Sequence, residues 1–158
     1  MNNYLDTIFD DIRSSAKHAL ESDDKYIVID KIYEYLEDFS AFGFQEILER
    51  ILSTIEDYPS LDYGGPGPFG TFIEEQPFSC YTPALLASLR RKPSTQVVGW
   101  LDRSIMDEDF QNGSGTNPVS AGDFASCLVE IISNSSASAE CREFSEMCLS
   151  DLRKRGLA

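Results

Sequence analysis

The chain is short of most groups that catalysis and nucleic-acid binding call on. Its 158 residues include one histidine, one tryptophan, four cysteines and only 13 Lys and Arg against 27 Asp and Glu, a formal net charge of −14. So few cations exclude a phosphate-backbone ligand, because such binding exchanges Lys and Arg for condensed counterions, and they disfavour an anionic membrane surface for the same reason. No uncharged apolar run approaches the roughly 20 residues of a membrane helix. Met1 to Asp11 lacks a basic stretch followed by an apolar one, so no secretory leader is predicted and a cytoplasmic chain is expected. Cys80, Cys127, Cys141 and Cys148 form no C-x-x-C pair and fall within periodic segments. They read as buried thiols in a reducing compartment, with one disulfide among the last three as the alternative.

The same scarcity removes the common sites. His18 is the single imidazole, so a zinc site would need Cys or carboxylate partners, and no Cys pair has the spacing. Beside Lys17 near the end of a helical stripe, it reads as a surface residue. Gly113-Ser114-Gly115 is one residue short on each arm of a nucleophile elbow. Gly64-Gly65-Pro66-Gly67-Pro68 has no Lys-Ser/Thr after it, and its prolines delete the N–H donors of a phosphate loop. Asp107, Asp109 and Gln111 resemble the start of a calcium loop, but glycine falls at position seven and Pro118 replaces the bidentate Glu. No catalytic residue, metal or cofactor is predicted, and no enzymatic activity.

What the chain does have is a core. Apolar residues make up 42%, with 10 Phe, 7 Tyr and 1 Trp, too many for a disordered acidic tail. They recur at helical period: Leu5, Ile8, Phe9, Ile12, Ala16 and Ala19; then Ile27, Val28, Ile32, Tyr35, Leu36 and Phe39; then Phe44, Ile47, Leu48, Ile51, Leu52 and Ile55. Asn2 or Asn3 can cap the first stripe, and Ser22 or Asp23 the second. The β-branched Tyr26-Ile27-Val28-Ile29 is the one local conflict, resolved as helix by the stripe that continues through Phe39. Residues 59–70 carry three of the seven prolines and four of the ten glycines, which predicts a structured loop, with a short helix after Thr71. Thr82-Pro83 and Asn117-Pro118 read as cap-plus-proline helix starts 35 residues apart, and Ser94 caps a helix between them. A final helix runs from about 140 to Arg155, with cations in its last turn. The expectation is all-α: a single helical domain, 1–158, of seven to eight helices packed as antiparallel hairpins.

Acidic groups occur along most of this pattern. Paired carboxylates on helices usually face water, but −14 exceeds what solubility requires and self-repulsion makes it costly. A basic protein partner is the reading that gives the charge a use.

Residues 58–105 carry a resemblance. Tyr58-Pro59-Ser60-Leu61-Asp62-Tyr63-Gly64-Gly65-Pro66-Gly67-Pro68 leads to Phe72-Ile73-Glu74-Glu75, then Ser88-Leu89-Arg90-Arg91-Lys92-Pro93-Ser94 and Trp100-Leu101-Asp102-Arg103-Ser104-Ile105. This is similar to the HEAT-like all-helical immunity proteins of bacterial polymorphic and contact-dependent growth inhibition toxin systems. Their loop reads LDYGxPGP followed by FIE, and Gly65 and Gly70-Thr71 depart from it. The resemblance implies a cytoplasmic chain that binds the C-terminal toxin domain of its neighbour, such as a basic nuclease, and blocks it; the oligomeric state is left open, with a monomer favoured. An acidic helical-repeat adaptor for a basic protein or peptide is the alternative. Candidate partner-binding residues are Asp62 and Tyr63 in the loop, Glu74 and Glu75 after it, Trp100, Asp102 and Arg103, and the acidic run Asp107, Glu108 and Asp109. For the loop itself, two readings stand: Tyr63 and Phe69 pack on the helices, or Asp62 and Tyr63 face a partner.

Overall fold

A computed structural model describes residues 3–106 and 115–158. Among these it contains eight α-helices, one 3-10 helix and no strand, in agreement with the all-α expectation. The chain divides into two compact units, Met1–Glu75 and Gln76–Ala158, where the sequence suggests one domain.

The first unit holds α1 (Asn3–Ser22), α2 (Tyr26–Tyr35), a 3-10 turn (Leu36–Ala41), α3 (Phe44–Asp57) and α4 (Gly67–Glu74). The α1 stripe of Leu5, Ile8, Phe9, Ile12, Ala16 and Ala19 is at most 2% exposed, as its spacing predicts. α1 ends with Asp24 N–H bonded to Ala19 O at 3.0 Å and Asp23 at φ +51°, a left-handed turn that a short polar residue tolerates. Ser22 belongs to α1. The N-cap of α2 is Lys25, neither Ser22 nor Asp23, and it makes no side-chain cap bond; Asp24 Oδ1 accepts the Tyr26 N–H at 3.0 Å. Tyr26 to Ile29 is helical, against the local β propensity, because Val28, Ile29 and Ile32 are buried on one side. The α-helix stops at Tyr35 instead of continuing through Phe39. Leu36 N–H bonds Tyr33 O, and the tighter winding carries Phe39 onto Phe9, stacked at 5.7 Å, and edge-on to Phe72 at 5.3 Å.

In the Pro/Gly segment the prediction of a loop to residue 70 is too long. α4 begins at Gly67, with Pro68 in its first turn, where a missing N–H costs nothing. Gly64 has φ +105°, and a Cβ there would lie 2.5 Å from Gly67 Cα, so only glycine fits.

The second unit holds α5 (Phe78–Arg91), α6 (Thr95–Met106), α7 (Ala121–Ile132) and α8 (Ala139–Lys154). Packing pairs α5 with α6 and α7 with α8, and joins the pairs through α6–α8 and α5–α7. Ser94 and Ser138 cap α6 and α8, with Val97 N–H and Cys141 N–H as their donors. The two cap-plus-proline starts are not helix starts. α5 begins four residues before Thr82 and carries Pro83 inside it, while α7 is capped by a Ser120–Asp123 capping box. What the 35-residue interval marks is a contact. The Thr82 hydroxyl lies 2.8 Å from Asn117 Oδ1 and 3.0 Å from Phe78 O. Asn117 Oδ1 also accepts from Val119 N–H at 3.0 Å, and its Nδ2 donates to Ser104 Oγ at 3.2 Å. Asn117→Ala removes these links and leaves the Val119 N–H without its acceptor, while Thr82 keeps Phe78 O and Ser104 keeps Leu101 O. A loss of about 1–3 kcal/mol in urea unfolding is expected, against little change for the exposed Ser14→Ala control.

Candidate functional site

The candidate residues separate into a buried set and a surface set. Tyr63 has no exposed area. Its ring meets Phe69 at 5.7 Å, and its hydroxyl donates to Tyr58 O at 3.1 Å. Burial pushes the phenol well above its ordinary range. Trp100 is 2% exposed on the inner side of α6. Neither ring can face a partner, so both are corrected from contact residues to core. Asp102, half-buried on α6, accepts from the Cys148 thiol, and burial raises its carboxyl above the usual carboxylate range. Arg103 is half-buried beside it in sequence. Asp62 is exposed, Glu74 closes α4 half-buried, and Glu75 follows it exposed. Asp107, Glu108 and Asp109 lie outside the described residues. Asp62, Tyr63, Glu74 and Glu75 belong to the first unit, and Trp100, Asp102 and Arg103 to the second.

Reactive groups are scarce where they are described. His18 is exposed on α1. All four cysteines are free thiols, three of them buried. Desolvation pushes the Cys127 thiol up to about 11 and Cys148 up to about 12, and raises Cys141 as well. Thiols so placed stay protonated at neutral pH and are poor nucleophiles. Among the described residues, no group of three or more His, Cys, Asp or Glu is arranged to hold a metal ion, and no helix is long and apolar enough to cross a membrane.

Charge, by contrast, is unevenly distributed. Residues 1–75 carry 17 acidic and 5 basic side chains, net −12, while residues 76–158 carry 10 and 8, net −2. The sequence expectation of acids spread along most helices misses this, although counting charges by half of the chain reveals it. Four of the five cations in the first unit are taken up by local ion pairs: Arg13 with Asp57, Lys25 with Asp62, Lys31 with Glu34, Arg50 with Asp6. Exposed pairs of this kind add little stability, and Lys31 also reaches Asp11 at 3.8 Å. Asp10, Glu21, Asp30, Glu37, Glu46 and Glu49 are exposed and stand outside these pairs.

Tyrosine accompanies the acids. Among the described residues, the large hydrophobic side chains exposed on the first unit are Tyr4 at 51%, Leu20 at 42%, Tyr26 at 59% and Tyr33 at 57%, all on α1 and α2. Tyr26, Asp30 and Tyr33 follow i, i+4, i+7 spacing and so form one stripe of α2, opposite the buried Val28 and Ile32. The hydrophobic period marks the inner face of α2, and the same spacing on the outer face carries these tyrosines. At the N-terminal end of the stripe is an open notch of about 400 Å³, lined by Leu20, Asp23, Asp24, Tyr26, Leu61 and Asp62. Asp62 Oδ1 accepts from Gly64 N–H at 2.8 Å and Oδ2 from Lys25 Nζ at 2.9 Å. The Lys25 contact first, and then the Gly64 bond, hold the Asp62 carboxyl below its usual range. A larger groove of about 620 Å³ runs between α7 and α8 over Val129, Ile132 and Leu149. Its rim mixes Glu146 with Arg153 and Lys154, so it favours neither sign of charge.

Compared with known proteins, the chain matches no family model, no curated protein and no solved structure.

Proposed function

We propose that the chain is a cytoplasmic immunity protein that binds and neutralises a cognate bacterial toxin domain carrying a basic surface. The observation that supports this reading most is the placement of −12 of the −14 charge in the first 75 residues, on a surface that also exposes tyrosines. A single-sign field of that size raises the encounter rate with a cationic partner, and tyrosines supply apolar contact area once the two surfaces meet. Inhibition needs no chemistry from the chain. It comes from occupying the toxin surface that would otherwise meet its substrate, with carboxylates in place of phosphates if that substrate is a nucleic acid. The 58–105 motifs add a second line of support, through their similarity to immunity proteins of polymorphic toxin systems.

Co-expression is the test. Cells producing the toxic C-terminal domain encoded immediately upstream of this gene are expected to grow when the chain is present and to arrest when it is absent. Equal arrest in both cultures would overturn the reading.

A further inference from the structure

The notch at the α1–α2 turn already holds an ammonium group belonging to the chain itself. Lys25 Nζ lies 2.9 Å from Asp62 Oδ2 and 5.5 Å from the centre of the Tyr26 ring. A carboxylate and an aromatic face are the two surfaces that recognise a cationic side chain, so the geometry for a Lys or Arg is built. Lys25 is 42% exposed and Asp62 58%, which makes the internal pair weak and readily exchanged. Around it the notch keeps open space, two more carboxylates (Asp23 and Asp24) and the exposed side chains of Leu20 and Tyr26. From there the stripe continues through Asp30 to Tyr33, two helical turns along α2. Exposed apolar side chains scattered singly need no explanation, but here they line one helix face and its notch.

We propose that this face is the docking surface for a basic protein partner, with one cationic side chain of the partner entering the notch to replace Lys25 between Asp62 and Tyr26, and with Tyr33 packing beside it. This rests on the reading of the chain as a binder of a basic domain and names the surface used. Charge complementarity selects the occupant. The unit is net −12, and the notch cavity is lined by three carboxylates against the single ammonium that fills part of it. A second copy of the same acidic unit would meet it with repulsion, and an acidic peptide likewise.

The proposal makes Lys25 a competitor of the partner, which gives an unusual sign. Lys25→Gln frees the Asp62–Tyr26 seat and is expected to tighten binding threefold or more beyond Lys92→Gln, an exposed lysine of the second unit whose removal changes net charge equally. Tyr26→Ala and Tyr33→Ala, which change no charge, are each expected to weaken binding about tenfold, the scale of an interface anchor, while Met147→Ala on the second unit leaves it unchanged. The probes are the upstream toxin domain and a synthetic decalysine peptide, each titrated into the full chain by calorimetry, with circular dichroism to confirm that every variant is folded. Amide NMR shifts on adding decalysine should concentrate at Tyr26, Asp30, Tyr33 and Asp62. Equal effects of Lys25→Gln and Lys92→Gln, or unaltered binding in both tyrosine variants, overturn the proposal. If the toxin is not neutralised but decalysine still maps to the notch, the surface stands and the immunity reading falls. If neutralisation holds while Tyr26→Ala and Tyr33→Ala protect fully, the immunity reading stands and this surface falls.

Discussion

Tyr63→Ala is expected to lower the unfolding free energy by about 3–5 kcal/mol, the cost of emptying a buried aromatic site, whereas Tyr63→Phe costs about 1 kcal/mol for one hydrogen bond. The ring has no exposed area and packs on Phe69, which in turn stacks near Phe39 at 6.5 Å. Phe39 meets Phe9 and Phe72, so the loop residue closes a chain of rings that ties α1, the 3-10 turn and α4 together. An alanine there leaves a void that the rigid Gly64–Pro66 turn cannot collapse into, because Gly64 already abuts Gly67. Urea unfolding at neutral pH measures both variants. A drop of under 1 kcal/mol for Tyr63→Ala would return the ring to the surface and restore its reading as a contact. The same experiment on Asp62→Asn should show little change, because Asp62 is exposed and its pair with Lys25 is solvent-screened.

Neutralising the first unit is expected to slow association with the proposed basic toxin domain far more than neutralising the second. Replacing Asp10, Glu21, Asp30 and Glu37 by Asn or Gln removes four of the acids left without ion-pair partners and takes the unit from −12 to −8. An association-rate loss of about 10-fold to 100-fold at low salt follows from weaker steering. The matched set Glu130, Glu140, Glu143 and Glu146 lies in the unit of net −2 and changes the same total charge. Its effect should stay within about threefold. Raising the ionic strength shortens the Debye length to about 3 Å at 1 M and should erase the difference between the two sets. Stopped-flow mixing reads these rates directly. Equal slowing by both sets would mean that the partner responds to total charge and that the asymmetry between the units is irrelevant.

The helices were readable wherever burial is one-sided. The α1 and α3 stripes are nearly solvent-free because their apolar residues return every three or four positions, and Ser94 announces the cap of α6. Where the reading failed, tertiary contacts had overridden a local rule. Thr82-Pro83 has the composition of a helix start, yet Phe78 and Tyr81 are buried one turn earlier and draw the helix back over them. The prediction for Asn117 failed in the same way. Its side chain bonds Val119 locally, but also Ser104 and Thr82, 13 and 35 residues away, beyond a helix-cap window of local sequence. α2 gives way to 3-10 winding because Phe39 has a ring to reach, which hydrophobic period alone does not encode. Of the proposed docking surface, the loop motif makes Asp62 a candidate, whereas Tyr26 and Tyr33 lie off the apolar stripe of α2 that the hydrophobic period marks. Exposed aromatics become visible once the inner face is known, since only then does the outer face stand out as the wrong place for them.

The claim that ties these points together is that an acidic, tyrosine-bearing unit silences a basic toxin by covering it. The most direct measurement is the activity of the purified toxin domain titrated with the purified chain at low ionic strength. Activity is expected to fall to background at one equivalent and to return as salt is raised, with the four-acid variant of the first unit needing a large excess to inhibit. Full toxin activity in the presence of a tenfold excess of the chain would contradict it.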